Sequence, residues 1–141
     1  FYKFWQKRNK KDSFDKELLS VDLFSQLTHL TGTATAGLTR AEIFDQASRL
    51  PYYSSIYFKR VHFLAQDLNY DYSDSCRIVG EETEEVVPKE FLLRLSSALI
   101  AGEDEAIFFA REAYVIGEIY GDEYERQVES LTKWSDAYMV L

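Results

Sequence analysis

Apolar side chains recur every three or four residues along nearly the whole chain, which is the spacing of one face of an α-helix. In the first such segment, about residues 14–33, Leu19, Leu23, Leu27 and Leu30 lie on one stripe. No stretch alternates apolar and polar residues for long enough to predict a strand. Two prolines and six glycines in 141 residues leave long uninterrupted segments, so the pattern predicts an all-α protein.

Glycine and capping residues mark the end of this helix and the start of the next. The segment TGTATAG weakens helix propensity, and Gly37 suits the left-handed residue that ends many helices. Thr39 is followed three residues later by Glu42, the capping-box spacing in which a hydroxyl and a carboxylate bond each other's free backbone amides. A short helix over about 40–49 is therefore predicted.

Pro51 separates this short helix from the one that follows. Its ring disfavours helical geometry at Leu50, and proline is well tolerated at the first position of a helix. A third helix is therefore predicted over about 51–68, flanked on its apolar side by Ile56 and Phe63. Its inward stripe has four members, Tyr57, Val61, Leu64 and Leu68.

A tight turn at Asn69 leads into a fourth helix and then into a strongly acidic segment. Asp71 or Ser73 is expected to cap the fourth helix, which runs through Glu82. Four carboxylates follow within five residues, and we call this segment the acidic connector: Glu81, Glu82, Glu84 and Glu85.

Two further helices complete the prediction. Pro88 begins a fifth helix over about 88–101, closed by Gly102 and with its inward residues at Phe91, Leu95, Ala98 and Leu99. The acidic residues 103–105 suit the positive end of a sixth helix, whose apolar track comprises Phe109, Ala113, Ile116, Tyr120, Tyr124, Leu131, Trp134 and Tyr138. From about residue 104 to the end it would be about 55 Å long at 1.5 Å per residue. The predicted fold is an antiparallel bundle of about six helices whose long C-terminal helix leads to a membrane.

Both ends of the chain carry the pattern of a membrane boundary. Residues 1–12 have a net charge of +4, which leaves −12 for residues 13–141, and they place aromatic rings beside a basic run. Aromatic side chains favour the headgroup region, and Lys and Arg favour the cytoplasmic side. The membrane-proximal candidates are Trp5, Lys7, Arg8, Lys10, Lys11, Trp134 and Tyr138.

A basic tail is the other interpretation of this start, but the increasingly apolar end of the chain favours a membrane. We expect a juxtamembrane segment over 1–12 and a helical cytoplasmic domain over 13–141, excised from between two membrane segments. The domain would lie on the cytoplasmic side of the cell membrane.

The composition argues against several classes of function. With 24 acidic and 16 basic residues the net charge is −8, which does not suit a general nucleic-acid binder. The single cysteine, Cys76, has no partner for an internal disulfide. With His29 and His62 as the other soft ligands, the chain has too few Cys and His residues for a closed Cys/His zinc site. No phosphate-binding glycine loop and no nucleophile motif is present. We therefore expect no catalytic residues and no cofactor; calcium at EETEE or GEDE stays open, although neither has EF-hand spacing.

Three segments carry a resemblance to a known family: FSQLTHLTGTATAGLTRAEIFDQAS (24–48), LNYDYSDSCRIVGEETE (68–84) and LSSALIAGEDEAIFFAREA (95–113). Together they resemble the cytoplasmic F domain of type II secretion and type IV pilus platform proteins, in particular the archaeal branch that serves the archaellum or pili. Ala36-Gly37-Leu38 and Gly102-Glu103 stand where the family has its turns, and Asn69 stands where a glycine is common. The resemblance covers about residues 22–135.

This resemblance implies a non-enzymatic domain of an integral membrane platform protein. Such a protein couples a cytoplasmic secretion ATPase to the assembly of pilin-type subunits into a pilus, an archaellum or a secretion pseudopilus. Homodimerisation is expected for the family, although the sequence does not indicate which helix mediates it. An acidic surface can steer a basic partner, so the acidic connector is the candidate docking site for the ATPase; the other interpretation is a solvated loop.

Two other classes of function remain open from the sequence. A soluble helical adaptor would need no membrane segment, but no repeat of about 34 residues is visible. A helical enzyme with a composite site is the third, but no set of acid, base and nucleophile converges in the sequence.

Overall fold

The computed structural model describes residues 2–118, with side chains described from residue 18 onward. All regular secondary structure in this range is helical, which confirms the all-α prediction there. Six helices follow one another: α1 (Tyr2–Thr35), α2 (Arg40–Arg49), α3 (Ser55–Asp67), α4 (Tyr72–Glu82), α5 (Val86–Ile100) and α6, which is helical over 105–118 up to the last described residue.

The turn between α1 and α2 follows the local signals in the sequence. Gly37 is left-handed with φ of 79°, so its lack of a Cβ is what allows the turn. The hydroxyl of Thr39 accepts a hydrogen bond from the Glu42 backbone amide at 3.3 Å. The predicted helix over 40–49 is confirmed at both ends.

Two predicted helix starts were wrong. The first helix begins at Tyr2 rather than near residue 14. The third begins at Ser55 rather than at Pro51, because the Asp22 carboxylate on α1 accepts hydrogen bonds from the backbone amides of Tyr53 (3.0 Å) and Ser54 (2.8 Å). These contacts hold the residues after Pro51 in a turn.

The inward face of α3 also differs from the predicted stripe. Phe58 and Val61 are buried, whereas Leu68 is 53 % exposed. Tyr57 and Leu64 are partly buried against the core. The stripe predicted through Leu68 was therefore wrong at its far end, where the chain leaves the helix.

The remaining helix boundaries agree closely with the expectation. Asn69 is left-handed with φ of 59°, and α4 follows as predicted. Asp71 is its N-cap residue, but its carbonyl oxygen rather than its side chain makes the bonds, accepting from the amide and the hydroxyl of Ser75. α5 begins at Val86, two residues before Pro88, and ends at a left-handed Gly102 with φ of 74°.

Packing in the core joins the helices through a chain of phenylalanine rings. Phe58 of α3 lies 6.0 Å from both Phe44 of α2 and Phe91 of α5, and Phe91 lies 5.9 Å from Phe108 of α6, measured between ring centroids. All four are at most 1 % exposed. α4 packs on α5 and α3, α2 packs on α3, and α1 contacts α2 and α5. The buried leucines of α1 complete the core: Leu23, Leu27 and Leu30.

A buried amide fixes α1 against the turn at Pro51. Gln26 is fully buried and donates from Nε2 to the Ala47 carbonyl oxygen (2.9 Å) and to the Ser55 hydroxyl (3.0 Å). In a continuing helix the Ala47 carbonyl would accept from residue 51, but proline has no N–H. Gln26 therefore supplies the donor that Pro51 lacks.

Among the residues that the structure describes, no helix is long and apolar enough to cross a membrane.

Candidate functional site

The acidic connector spans the end of α4 and the start of α5. Glu81 and Glu82 are the last residues of α4, and Glu85 is the N-cap residue of α5. Thr83 is buried between them, where its hydroxyl donates to the Val79 carbonyl oxygen at 2.6 Å. Anchoring this side chain inward leaves the four glutamates exposed, as predicted.

Three of the four carboxylates already have partners within the domain. Glu81 pairs with Arg77 one turn earlier (3.4 Å), and Glu82 pairs with Arg60 of α3 (2.8 Å). Both pairs are largely solvent-exposed, so each contributes little to stability. Their effect on the site is to neutralise part of its charge.

Glu85 interacts with a tyrosine of α3 instead of a cation. The Tyr57 hydroxyl donates to a Glu85 carboxylate oxygen at 3.3 Å. Partial burial of Tyr57, followed by the charge of Glu85 and this hydrogen bond, raises the pKa of the phenol above its ordinary value of 10.0. Tyr57 therefore stays neutral and serves as a fixed hydrogen-bond donor at the edge of the connector.

Glu84 is exposed, and within residues 18–118 it has no ion pair or side-chain hydrogen bond. It is the carboxylate most readily available to a basic partner. The described residues hold no group of three or more His, Cys, Asp or Glu side chains that could bind a metal ion. What this arrangement offers chemically is charge complementarity to a cationic surface.

The other candidate side chains belong to the interior or to its edge. Cys76 is fully buried, and burial raises the pKa of its thiol to about 12, so the thiolate form is suppressed. His62 contacts the Tyr72 hydroxyl at 3.1 Å, and its other ring nitrogen lies 3.7 Å from Asp45. His29 is exposed, with its ring edge-on to Tyr52.

Sequence reasoning missed a buried carboxylate on α6. Glu112 is 4 % exposed and accepts two hydrogen bonds from the Arg94 guanidinium, at 2.8 and 2.9 Å. Both residues line an open groove of about 470 Å³ between α5 and α6, over the buried ring of Phe108. The available signal in the sequence was its position, because Glu112 lies three residues after Phe109 and four before Ile116, both members of the predicted apolar track.

The membrane-proximal candidates all lie outside the part of the chain whose side chains are described. Trp5, Lys7, Arg8, Lys10 and Lys11 belong to the helical start of α1, whose side chains lie outside the described part. Trp134 and Tyr138 lie outside the described residues altogether, as does the apolar track beyond Ile116.

Comparisons of this chain with protein-family models, curated proteins and solved structures found no match.

Proposed function

We propose that this chain is the cytoplasmic F-type domain of a membrane platform protein that couples a secretion ATPase to the assembly of a pilus, an archaellum or a secretion pseudopilus. The proposal includes an antiparallel bundle whose first helix and long last helix both lead to the same face of the cell membrane. Pilin-type subunits would be reached through the parent membrane protein. The role is mechanical, and it requires no catalytic residue or cofactor in this domain.

One observation carries the proposal: two contacts fix the relative direction of α1 and α6. Arg40, just after α1, pairs with Glu105 at the start of α6 (2.7 Å). Phe24 of α1, sixteen residues before Arg40, packs on Gly117 of α6, which is twelve residues after Glu105. A Cβ added at Gly117 would lie only 2.7 Å from the Phe24 ring. Over this part of the chain, moving back along α1 corresponds to moving forward along α6, which supports an antiparallel arrangement of the two helices. An antiparallel pair of this kind supports a domain whose two ends lead to the same face of a membrane.

Two left-handed glycines support the same proposal. Gly37 and Gly102 each end a helix, at the two positions where the resemblance expects a turn. Asn69 takes the same conformation at the third turn, where the family commonly has glycine. The departure from the family pattern at Asn69 therefore has no consequence for the backbone.

The acidic connector is the proposed ATPase-docking site, with Glu84 as its leading contact. Because Glu81 and Glu82 are partly neutralised by Arg77 and Arg60, reversing Glu84 changes the available charge with least damage to the fold. A matched control is Asp67→Lys, which reverses an exposed carboxylate at the C-terminal end of α3, where a cation suits the helix dipole.

The experiment measures binding of the purified chain to a secretion ATPase from the same organism, at several salt concentrations. We expect Glu84→Lys to weaken binding at low salt and the reversal of all four glutamates to remove most of its salt dependence, with Asp67→Lys close to the unmodified chain. Equal affinity for the fourfold variant and the unmodified chain would discard the docking site. Absence of binding by the unmodified chain would count against the coupling role itself.

A soluble helical adaptor is the alternative, and the full reading frame separates the two. The platform role requires apolar segments of about 20 residues directly before Phe1 and after Leu141. An adaptor requires neither.

A further inference from the structure

The turn between α3 and α4 alternates acidic and apolar side chains on the surface. It runs Asp67-Leu68-Asn69-Tyr70-Asp71, and all five residues are exposed. Leu68 is 53 % exposed and Tyr70 is 46 % exposed, although both side chains are large and largely apolar. We call residues 67–71 the α3–α4 turn. Neighbouring apolar side chains on a surface mark a candidate contact with another molecule.

The carboxylates of the α3–α4 turn have no cation beside them. Residues 61–76 contain three aspartates and no Lys or Arg. Within the part of the chain whose side chains are described, neither Asp67 nor Asp71 makes an ion pair or a side-chain hydrogen bond. The nearest basic residues along the chain, Arg60 and Arg77, pair with glutamates of the acidic connector instead. The negative charge of the turn is therefore available to a partner.

The end of α3 adds to this negative charge. Asp67 is the last residue of α3, and the last turn of the helix has no basic residue. The C-terminal end of a helix carries a partial negative charge, so a carboxylate is unfavourable there and a cation is favourable. A Lys or Arg side chain of a partner would meet the helix end and the carboxylates of Asp67 and Asp71 at one place.

Hydrogen bonds hold the α3–α4 turn in one conformation. The Tyr70 amide donates to the Leu64 carbonyl oxygen (3.2 Å), and Gln66 Nε2 donates to the Tyr72 hydroxyl across the turn (2.8 Å). Asn69 is left-handed with φ of 59°, a conformation that asparagine tolerates. The surface is therefore formed before a partner arrives, and little conformational entropy is lost in ordering it.

We infer that the α3–α4 turn is a docking surface for a basic amphipathic segment of another protein, in which Lys or Arg lies beside apolar side chains. Charge selects this occupant, because a second copy with net charge −8 and an anionic membrane would both be repelled by the carboxylates. Leu68 and Tyr70 supply the apolar contact between them. The inference does not rest on the proposed function, since the turn and the acidic connector lie at opposite ends of α4, about 16 Å apart at 1.5 Å per residue.

The test uses the whole chain and two synthetic helical peptides of equal positive charge, with binding measured by fluorescence anisotropy. In the first peptide lysines and leucines lie on opposite faces, and in the second every leucine is replaced by alanine. We expect the leucine peptide to bind at least ~tenfold more tightly, because it buries Leu68 and Tyr70. Leu68→Ser with Tyr70→Ser should remove that preference. Asp67→Asn with Asp71→Asn should weaken the binding of both peptides at low salt.

A matched control separates the turn from the rest of α3. Ile56→Ser with Phe63→Ser changes two side chains outside the turn, 59 % and 52 % exposed, and should bind both peptides like the parent chain. Equal binding of the two peptides by the parent, or a leucine preference that survives Leu68→Ser with Tyr70→Ser, would overturn the inference. Self-association of the chain, or binding to phosphatidylglycerol vesicles, that the same two serines abolish would assign the turn to a second copy or to a membrane instead.

Discussion

Replacing Gln26 by alanine should cost far more stability than a surface glutamine would. The side chain is fully buried and ties α1 to the end of α2 and the start of α3. The Ser55 hydroxyl keeps its bond to the Leu50 carbonyl oxygen (2.7 Å), and the Ser54 hydroxyl can still donate to Asp22 (2.6 Å). The group left without a donor is the Ala47 carbonyl.

The expected magnitude follows from that single loss and the cavity. A buried acceptor without a partner costs about 1–3 kcal/mol, and the space left by the missing side chain adds to it, less whatever a bound water recovers. We therefore expect Gln26→Ala to lower the free energy of unfolding by about 2–4 kcal/mol, a large part of the roughly 5–15 kcal/mol that holds a domain folded. At this chain length the loss corresponds to a fall in Tm of roughly 7–13 °C.

Urea unfolding followed by circular dichroism measures the change, with Gln46→Ala as the matched control. Gln46 is exposed on α2 and is replaced by a better helix former, so its substitution should change stability by less than about 0.5 kcal/mol. If Gln26→Ala costs less than about 1 kcal/mol, or no more than the control, then the amide is not serving the Ala47 carbonyl and the explanation for the turn at Pro51 fails.

Two further predictions use the backbone and the pH dependence. Gly32→Ala should stabilise the chain by about 0.5–1 kcal/mol, because Gly32 lies within α1 with nothing within 4 Å of an added Cβ; Gly37→Ala should destabilise it by about 1 kcal/mol, because φ is 79° there. Thermal melts of the two variants should move in opposite directions, and the same sign for both would contradict the assignment of the turn. The raised pKa of Tyr57 means that its stabilising contribution is complete below its unfolded value near 10.0 and is lost as the pH rises above it. Glu85→Gln should therefore lower the Tyr57 pKa in an ultraviolet titration and reduce the alkaline loss of stability, and an unchanged titration would show that burial alone sets the pKa.

Helix boundaries were predictable where the determinants are local. α2 was placed correctly because Thr39 and Pro51 mark its two sides within the sequence itself. Gly37 and Gly102 could be assigned to left-handed turns because only their immediate neighbours matter. The helical class of the fold followed from periodicity alone.

The start of α3 could not be predicted, because its determinant is remote. Proline at the first position of a helix is a sound local expectation, yet the Asp22 carboxylate bonds the Tyr53 amide from 31 residues away. No local pattern reveals that a carboxylate from another helix occupies those amides. The bond of Gln26 to Ala47, 21 residues apart, is hidden in the same way.

The residues that make up the candidate site were predictable from the sequence, but which of its carboxylates are already paired within the domain was not. Exposure of the four glutamates followed from their charge, whereas their partners Arg60 and Tyr57 lie on a different helix, 22 and 28 residues away. Glu112 shows the reverse case, in which a carboxylate expected in water is buried because Arg94, 18 residues earlier, meets it with two hydrogen bonds. A charge in the sequence therefore predicts a surface only when the three-dimensional neighbours are known.

The polar residues of α1 find their hydrogen-bond partners within the domain in two ways. Asp22 and Gln26 direct their polar atoms toward the turn at Pro51, and the hydroxyls of Ser25 and Thr28 return to carbonyls of their own helix. In both cases the polar atoms are paired within the domain, the first with the turn and the second with the helix itself. The glutamates of the acidic connector instead stay exposed at the junction of α4 and α5, where an acidic surface would be repelled and a cationic one attracted.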